Sequence, residues 1–178
     1  DTLSQYREVF TFPIEDYYKR VGFDFDKIPF SMLAHEYMED YQEKSYACDL
    51  HSDVLDVVNK AKNLGFSQTV LSASKMDYLL KQMETLHVDD LFDSIYGIND
   101  IYAKSKVELA HAFKQTCSLD DEIYFVGDSV HDYEVAKSIG AKCILVTTGH
   151  QNRATLESVN VPVMDSLMES LDLIYERD

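Results

Sequence analysis

The sequence predicts an α/β protein: a doubly wound parallel sheet, residues 47–178, preceded by a small helical cap region, residues 1–46. Two patterns predict it. From about residue 47, short apolar runs alternate with segments of helical periodicity. Strands separated by helices of about 10 to 15 residues pair in parallel through right-handed crossovers. Before that point the alternation is absent, and the segment is helical in pattern, holding 11 of the 21 Phe and Tyr residues.

In the cap region Pro13 is placed to open a helix over Ile14–Arg20, with Gly22 as its stop. Ser31 is placed to cap a second helix running through His35, Met38 and Tyr41. The aromatic residues are expected to pack helix against helix and give this small unit a core, in preference to lining a recognition pocket. The second region reads as a helix over 52–64 ended by Gly65, a strand at 68–71, a helix over 75–86 and a strand at 94–96. A helix over 105–115, a strand at 123–126, a helix over 131–138 and a strand at 143–146 follow. Helices near 151–158 and 165–175 close the chain.

Composition narrows the function classes. The 178 residues, 46% of them hydrophobic, suffice for one core or a core with a small accessory unit. No apolar run of about 18 residues marks a membrane span. Three widely spaced cysteines and six scattered histidines form neither a disulfide framework nor a zinc pattern, which fits a reducing cytoplasm. The formal charge is −16. Such a surface repels phosphate backbones and anionic lipid, so neither nucleic acid nor membrane is expected as a partner. The same field opposes a small anionic substrate, whose site would need its own positive charge from a lysine or a metal ion.

Ligands of open parallel sheets bind outside the carboxyl ends of the strands. After the first strand comes Ser72-Ala73-Ser74-Lys75; after the third, Gly127-Asp128-Ser129-Val130-His131-Asp132; after the fourth, Thr147-Thr148-Gly149-His150. Lys104 or Lys106, opening the helix between the second and third strands, can reach the same edge. Hard oxygens suit Mg²⁺, and a cation with hydroxyls suits phosphoryl oxygens. Taken singly, each residue has a plainer role. Ser74 with Asp77 forms S-x-x-D and is expected to cap the next helix, which leaves the Ser72 hydroxyl available. Asp128 fits a turn, Asp132 fits a helix first turn, and each lysine fits a solvated surface.

The order of these pieces resembles that of the haloacid-dehalogenase superfamily, in particular its phosphoglycolate-phosphatase-like branch. Val70-Leu71-Ser72 resembles the second motif, Ser105-Lys106 the third, and Gly127-Asp128-Ser129-Val130-His131-Asp132 the fourth. Ala136, Ile139-Gly140-Ala141 and Val146-Thr147-Thr148-Gly149 continue the likeness. The resemblance implies a Mg²⁺-dependent phosphatase acting on a small phosphorylated metabolite, such as phosphoglycolate or a sugar phosphate, by way of an aspartyl-phosphate. It implies Asp128 as metal ligand, Ser72 and Ala73 as phosphoryl-binding residues, and Lys106 as the neutralising cation. Asp132 would orient Lys106 or a metal-bound water. The helical front end resembles the cap that closes over such sites, and its shortness implies a small substrate.

One motif has no counterpart. The family's nucleophile lies in D-x-D-G-T after an apolar strand, and Asp1-Thr2-Leu3 resembles the stretch a few residues beyond it. That strand belongs in the middle of the sheet, between those ending at Ser72 and Asp128. The expectation is therefore a natural protein that begins about 8 to 15 residues earlier, the sequence as given lacking its nucleophile and being inactive by itself. The rival expectation is a non-catalytic remnant serving as a binding or regulatory module. A signalling receiver domain is excluded by order: receivers present acidic residues first, then Ser/Thr, then Lys.

Overall fold

The computed structural model describes residues 2–98 and 105–176. Helices α1 (Leu3–Val9), α2 (Ile14–Arg20) and α3 (Phe30–Ser45) come first, then α4 (Val54–Asn63). The series continues with β1 (Thr69–Lys75), α5 (Met76–Thr85), β2 (Ser94–Ile98), α6 (Lys106–Thr116), β3 (Tyr124–Gly127) and α7 (Val130–Ser138). It ends with β4 (Lys142–Val146), α8 (Arg153–Glu157), β5 (Val163–Met164) and α9 (Leu167–Tyr175). This is the α/β alternation that the sequence predicts, and every described strand pair is parallel. No helix among the described residues is long and apolar enough to cross a membrane.

The predicted stops at Gly22 and Gly65 hold for a local reason, and Gly140 acts in the same way. Gly22, Gly65 and Gly140 take φ of +97°, +89° and +70°, the left-handed conformation that closes α2, α4 and α7. Two predicted caps do not form. Helix α3 starts one residue before Ser31, with Pro29 as its N-cap and no side-chain bond there. Helix α5 has Lys75 as N-cap, again without a side-chain bond. The cause lies in β1, which runs to Lys75 and not to residue 71. Leu71 pairs with Tyr96 and Lys75 with Ile98, so four steps on β1 oppose two on β2 and the intervening residues bulge. Ser74 is thereby held in the strand, and its own N–H donates to Ser72 Oγ (3.1 Å).

Helix α1 and strand β5 extend the expected set. Helix α1 carries a capping box, Thr2 with Gln5. The cap-region rings do touch, as in Tyr6–Phe10, Phe10–Tyr17, Tyr18–Phe30 and Phe25–Phe30. They do not enclose a core of their own, however: of the described residues before Cys48 only Phe10 is buried.

The strands form two separate sheets, β1–β2 and β3–β4–β5. Helix α6 covers β1 and β2 and packs against α7, which covers β3 and β4. Leu71 of β1 and Phe125 of β3 therefore share one cluster around Ala110, Val135 and Ile139. On α9, contacts run to α4 and to β3, β4 and β5. Residues Cys143–Val146 of β4 are buried, whereas β1 and β3 are only partly so and Val126 is 36% exposed. Thus β1 and β3 share the helical layer formed by α6 and α7, and each has one edge unpaired among the described residues. Leu145, fully buried in β4, makes the core testable. Leu145→Ala is expected to lower unfolding free energy by about 2–5 kcal/mol in urea titration.

Candidate active site

The turn from β3 into α7 builds the centre. Ser129 is the N-cap of α7, and Asp132 sits at the third helical position. The Asp132 N–H donates to Ser129 Oγ (3.2 Å), while Asp132 Oδ2 accepts from the N–H groups of Asp128 (3.0 Å) and Ser129 (3.1 Å). It also accepts from the Ser129 hydroxyl (2.7 Å). The other oxygen, Oδ1, accepts from Lys106 Nζ at 2.6 Å. Both partners are shielded, with side-chain exposures of 2% for Asp132 and 19% for Lys106. Burial alone would push the Asp132 carboxyl pKa up; the Lys106 charge and the hydrogen bonds outweigh it and hold the carboxyl below the usual range. Gly127 is required by this arrangement, since a Cβ there would lie 2.4 Å from Asp132 Cβ.

Lys106 is the first residue of α6, whose N-cap Ser105 accepts from the Glu108 N–H (3.3 Å). The alternative lysine, Lys104, lies outside the described residues, as does Asp1. Asp128 follows β3 directly, and its Oδ2 accepts from the N–H of His150 (2.8 Å). Gly149 is fixed by that closeness: a Cβ there would fall 1.8 Å from Asp128 Oδ2. Lys106, Asp132 and Asp128 are thus brought together in one hydrogen-bonded unit. Ser72 and Ala73 lie in the bulge of β1, on the other sheet, and the described bond of the Ser72 hydroxyl is to Ser74.

Four further residues belong to this edge. Arg7 donates from Nε to Gly149 O (2.8 Å) and from Nη2 to Thr148 O (3.0 Å). The Tyr6 hydroxyl shares a hydrogen bond with His150 Nδ1 (2.6 Å), and burial raises the Tyr6 phenol above its ordinary range. Phe10 stacks on the His150 ring at 4.8 Å. Buried Gln151 accepts from the Val130 N–H (2.7 Å), which ties the start of α7 to the same loop. Sequence reasoning missed Arg7, Tyr6 and Phe10 because their partners lie some 140 positions away, and it missed Gln151 because its partner lies 21 positions back across β4; no local pattern links them. A cleft of about 700 Å³ opens here, lined by Leu3, Tyr6, Arg7, Asp128 and His150 among others. His131 is turned to Glu134 (3.3 Å) and the Phe12 ring.

Parallel strands flanked by helices define a Rossmann-like α/β class of fold, here with carboxylates and a lysine gathered at one edge. The model of the haloacid dehalogenase-like hydrolase family matches residues 2–146, and the chain belongs to that family. Among solved structures, a haloacid dehalogenase-like family hydrolase from Streptococcus pneumoniae superposes with a TM-score of 0.81 at 20% identity, over 98% of this chain and 81% of that one. A predicted phosphatase from Clostridium acetobutylicum gives 0.78 at 20% identity, over 99% and 83%. A protein assigned as a phosphoglycolate phosphatase from Lactobacillus delbrueckii subsp. bulgaricus gives 0.76 at 13%, over 98% and 83%. These likenesses establish the fold. No curated protein matches the sequence.

Because the folded Asp132 carboxyl lies below its unfolded value of about 3.9, its stabilising contribution is complete above that pH. It is lost as pH falls through the folded value. Asp132→Asn leaves Lys106 without its carboxylate and is expected to cost about 3–5 kcal/mol at pH 7. The gap between variant and wild type should narrow below about pH 4, which urea unfolding at pH 7 and pH 3 will measure.

Proposed function

We propose that this protein is a Mg²⁺-dependent phosphomonoesterase acting on a small phosphorylated metabolite, phosphoglycolate or a sugar phosphate being the class that fits best. The observation that carries this reading is the shielded Lys106–Asp132 pair beside Asp128, at the carboxyl end of β3. A surface of net charge −16 leaves an anionic substrate in need of a fixed cation. Lys106 is such a cation. Asp132 has both oxygens committed to donors within the protein, so its role is to orient Lys106 and not to hold a metal.

The donor chemistry near Asp128 fits Mg²⁺. That ion keeps several waters and uses one or two carboxylates together with substrate phosphate oxygens. Asp128 Oδ1 accepts no hydrogen bond from the described residues, and no group of three or more His, Cys, Asp or Glu among them forms a closed cage. Asp128 would hold the ion, which when bound would offset charge on the phosphoryl group. Ser72 and the backbone of Ala73 would bind phosphoryl oxygens, and Lys106 would neutralise charge developing at phosphorus.

The attacking carboxylate is expected on an apolar strand carried ahead of Asp1 and lying between the edges of β1 and β3 that are unpaired among the described residues. Its attack would break the ester P–O bond and form an aspartyl-phosphate; water would then release phosphate. The split into two sheets and the partial exposure of Val126 support this placement. Three free cysteines suit a cytoplasmic setting.

The test is to express the chain with and without its natural upstream coding segment and to assay phosphate release from phosphoglycolate with Mg²⁺. The extended form is expected to turn over, and the 178-residue chain is not. An extended form that folds but releases no phosphate from a panel of small phosphomonoesters would favour a binding module instead. In the active form, Lys106→Ala and Asp128→Asn are each expected to lower kcat by about 10²–10³-fold. Wild-type rates in either variant would remove that residue from the mechanism.

A further inference from the structure

The cap region is joined to the candidate site by a path that does not run through the substrate. Asp128 Oδ2 is held by the N–H of His150, in an irregular loop after β4. Gly149 passes so close to that carboxylate that a Cβ would not fit, so the loop path and the Asp128 rotamer are set together. The loop is held in turn by Arg7 of α1, whose Nε and Nη2 take the carbonyls of Gly149 and Thr148. Two carbonyls on successive residues match the planar fork of a guanidinium. A lysine ammonium would supply the charge without fixing both. Asn152 Nδ2 donates to Arg7 O at 3.5 Å, closing the contact from the other side.

We propose that Arg7 is a positioning residue for Asp128: the docking of α1 sets the 148–150 loop, and through the His150 N–H it sets the carboxylate for a divalent cation. The inference rests on reading Asp128 as the metal ligand. Arg7 touches neither Asp128 nor any reacting group in the described contacts, so its effect is carried by backbone geometry. Motion of α1 would then change cation affinity, which links the state of the cap to the readiness of the site.

The experiment is Mn²⁺ binding to the purified protein expressed with its natural upstream coding segment, followed by electron paramagnetic resonance, for wild type, Arg7→Ala and Arg7→Lys. Hydrogen exchange on β3 and α7 amides verifies that the core is intact in each. Both variants are expected to bind Mn²⁺ about 10-fold more weakly, as for other residues that orient a metal ligand. The His150 amide should lose protection in both. Wild-type affinity in Arg7→Lys together with weakened binding in Arg7→Ala would overturn the proposal in favour of a simple charge effect. Wild-type affinity in both variants would overturn it outright while leaving the metal reading standing. Absence of Mn²⁺ binding by the wild type, or equal binding by Asp128→Asn, would overturn the metal reading and the proposal with it.

Discussion

The Asp132 carboxylate, almost fully removed from solvent, receives four donors from three residues: the Lys106 ammonium, the N–H groups of Asp128 and Ser129, and the Ser129 hydroxyl. A lone charge buried so deeply would take up a proton, and the donors are what keep it ionised. Their arrangement also has a structural result. Lys106 opens α6, the helix lying on β1 and β2, whereas Asp128 and Ser129 form the turn after β3 in the other sheet. One ion pair therefore ties the helical cover of the first sheet to the working end of the second. The same pair places a cation at the edge of an otherwise strongly acidic protein.

Around this pair, the close approaches follow from glycine. Gly127 lets Asp132 lie against the end of β3, and Gly149 lets the loop after β4 fold over Asp128. Both are needed because the carboxylates occupy the space a side chain would take. The helical front end touches this edge through α1 and leaves many of its aromatic and aliphatic side chains exposed, among them Phe23, Ile28, Met32 and Tyr41. Its order comes from ring-to-ring contacts and from docking on the 148–150 loop, and not from a closed core of its own.

Much of the fold was legible because its signals are local. Glycine stops, strand–helix alternation and the spacing of Asp128 and Asp132 depend on a few neighbouring residues. The S-x-x-D pattern shows where local reading ends. At Ser129 and Asp132 it forms a capping box. At Ser74 and Asp77 it does not, because a bulge in β1 keeps the strand going to Lys75, and that bulge is set by pairing with β2. Strand β5, two residues long, is equally a product of its partner, since Leu145 and Val146 supply the ladder. The links from Arg7 and Tyr6 to the site cross more than 140 positions of chain, and nothing near those residues announces them. Motif order points to Lys106, and the contact with Asp132 gives that lysine a physical setting.

The most direct test of the central claim is a crystal structure of the protein soaked with Mg²⁺ and tungstate, a heavy phosphate analogue located by its anomalous signal. The account predicts tungstate between Lys106 Nζ and Ser72 Oγ, with a cation on Asp128 and the Lys106–Asp132 bond retained. Tungstate bound only elsewhere, or Lys106 turned away from Asp132 to reach it, would contradict the claim that this pair builds the phosphate site.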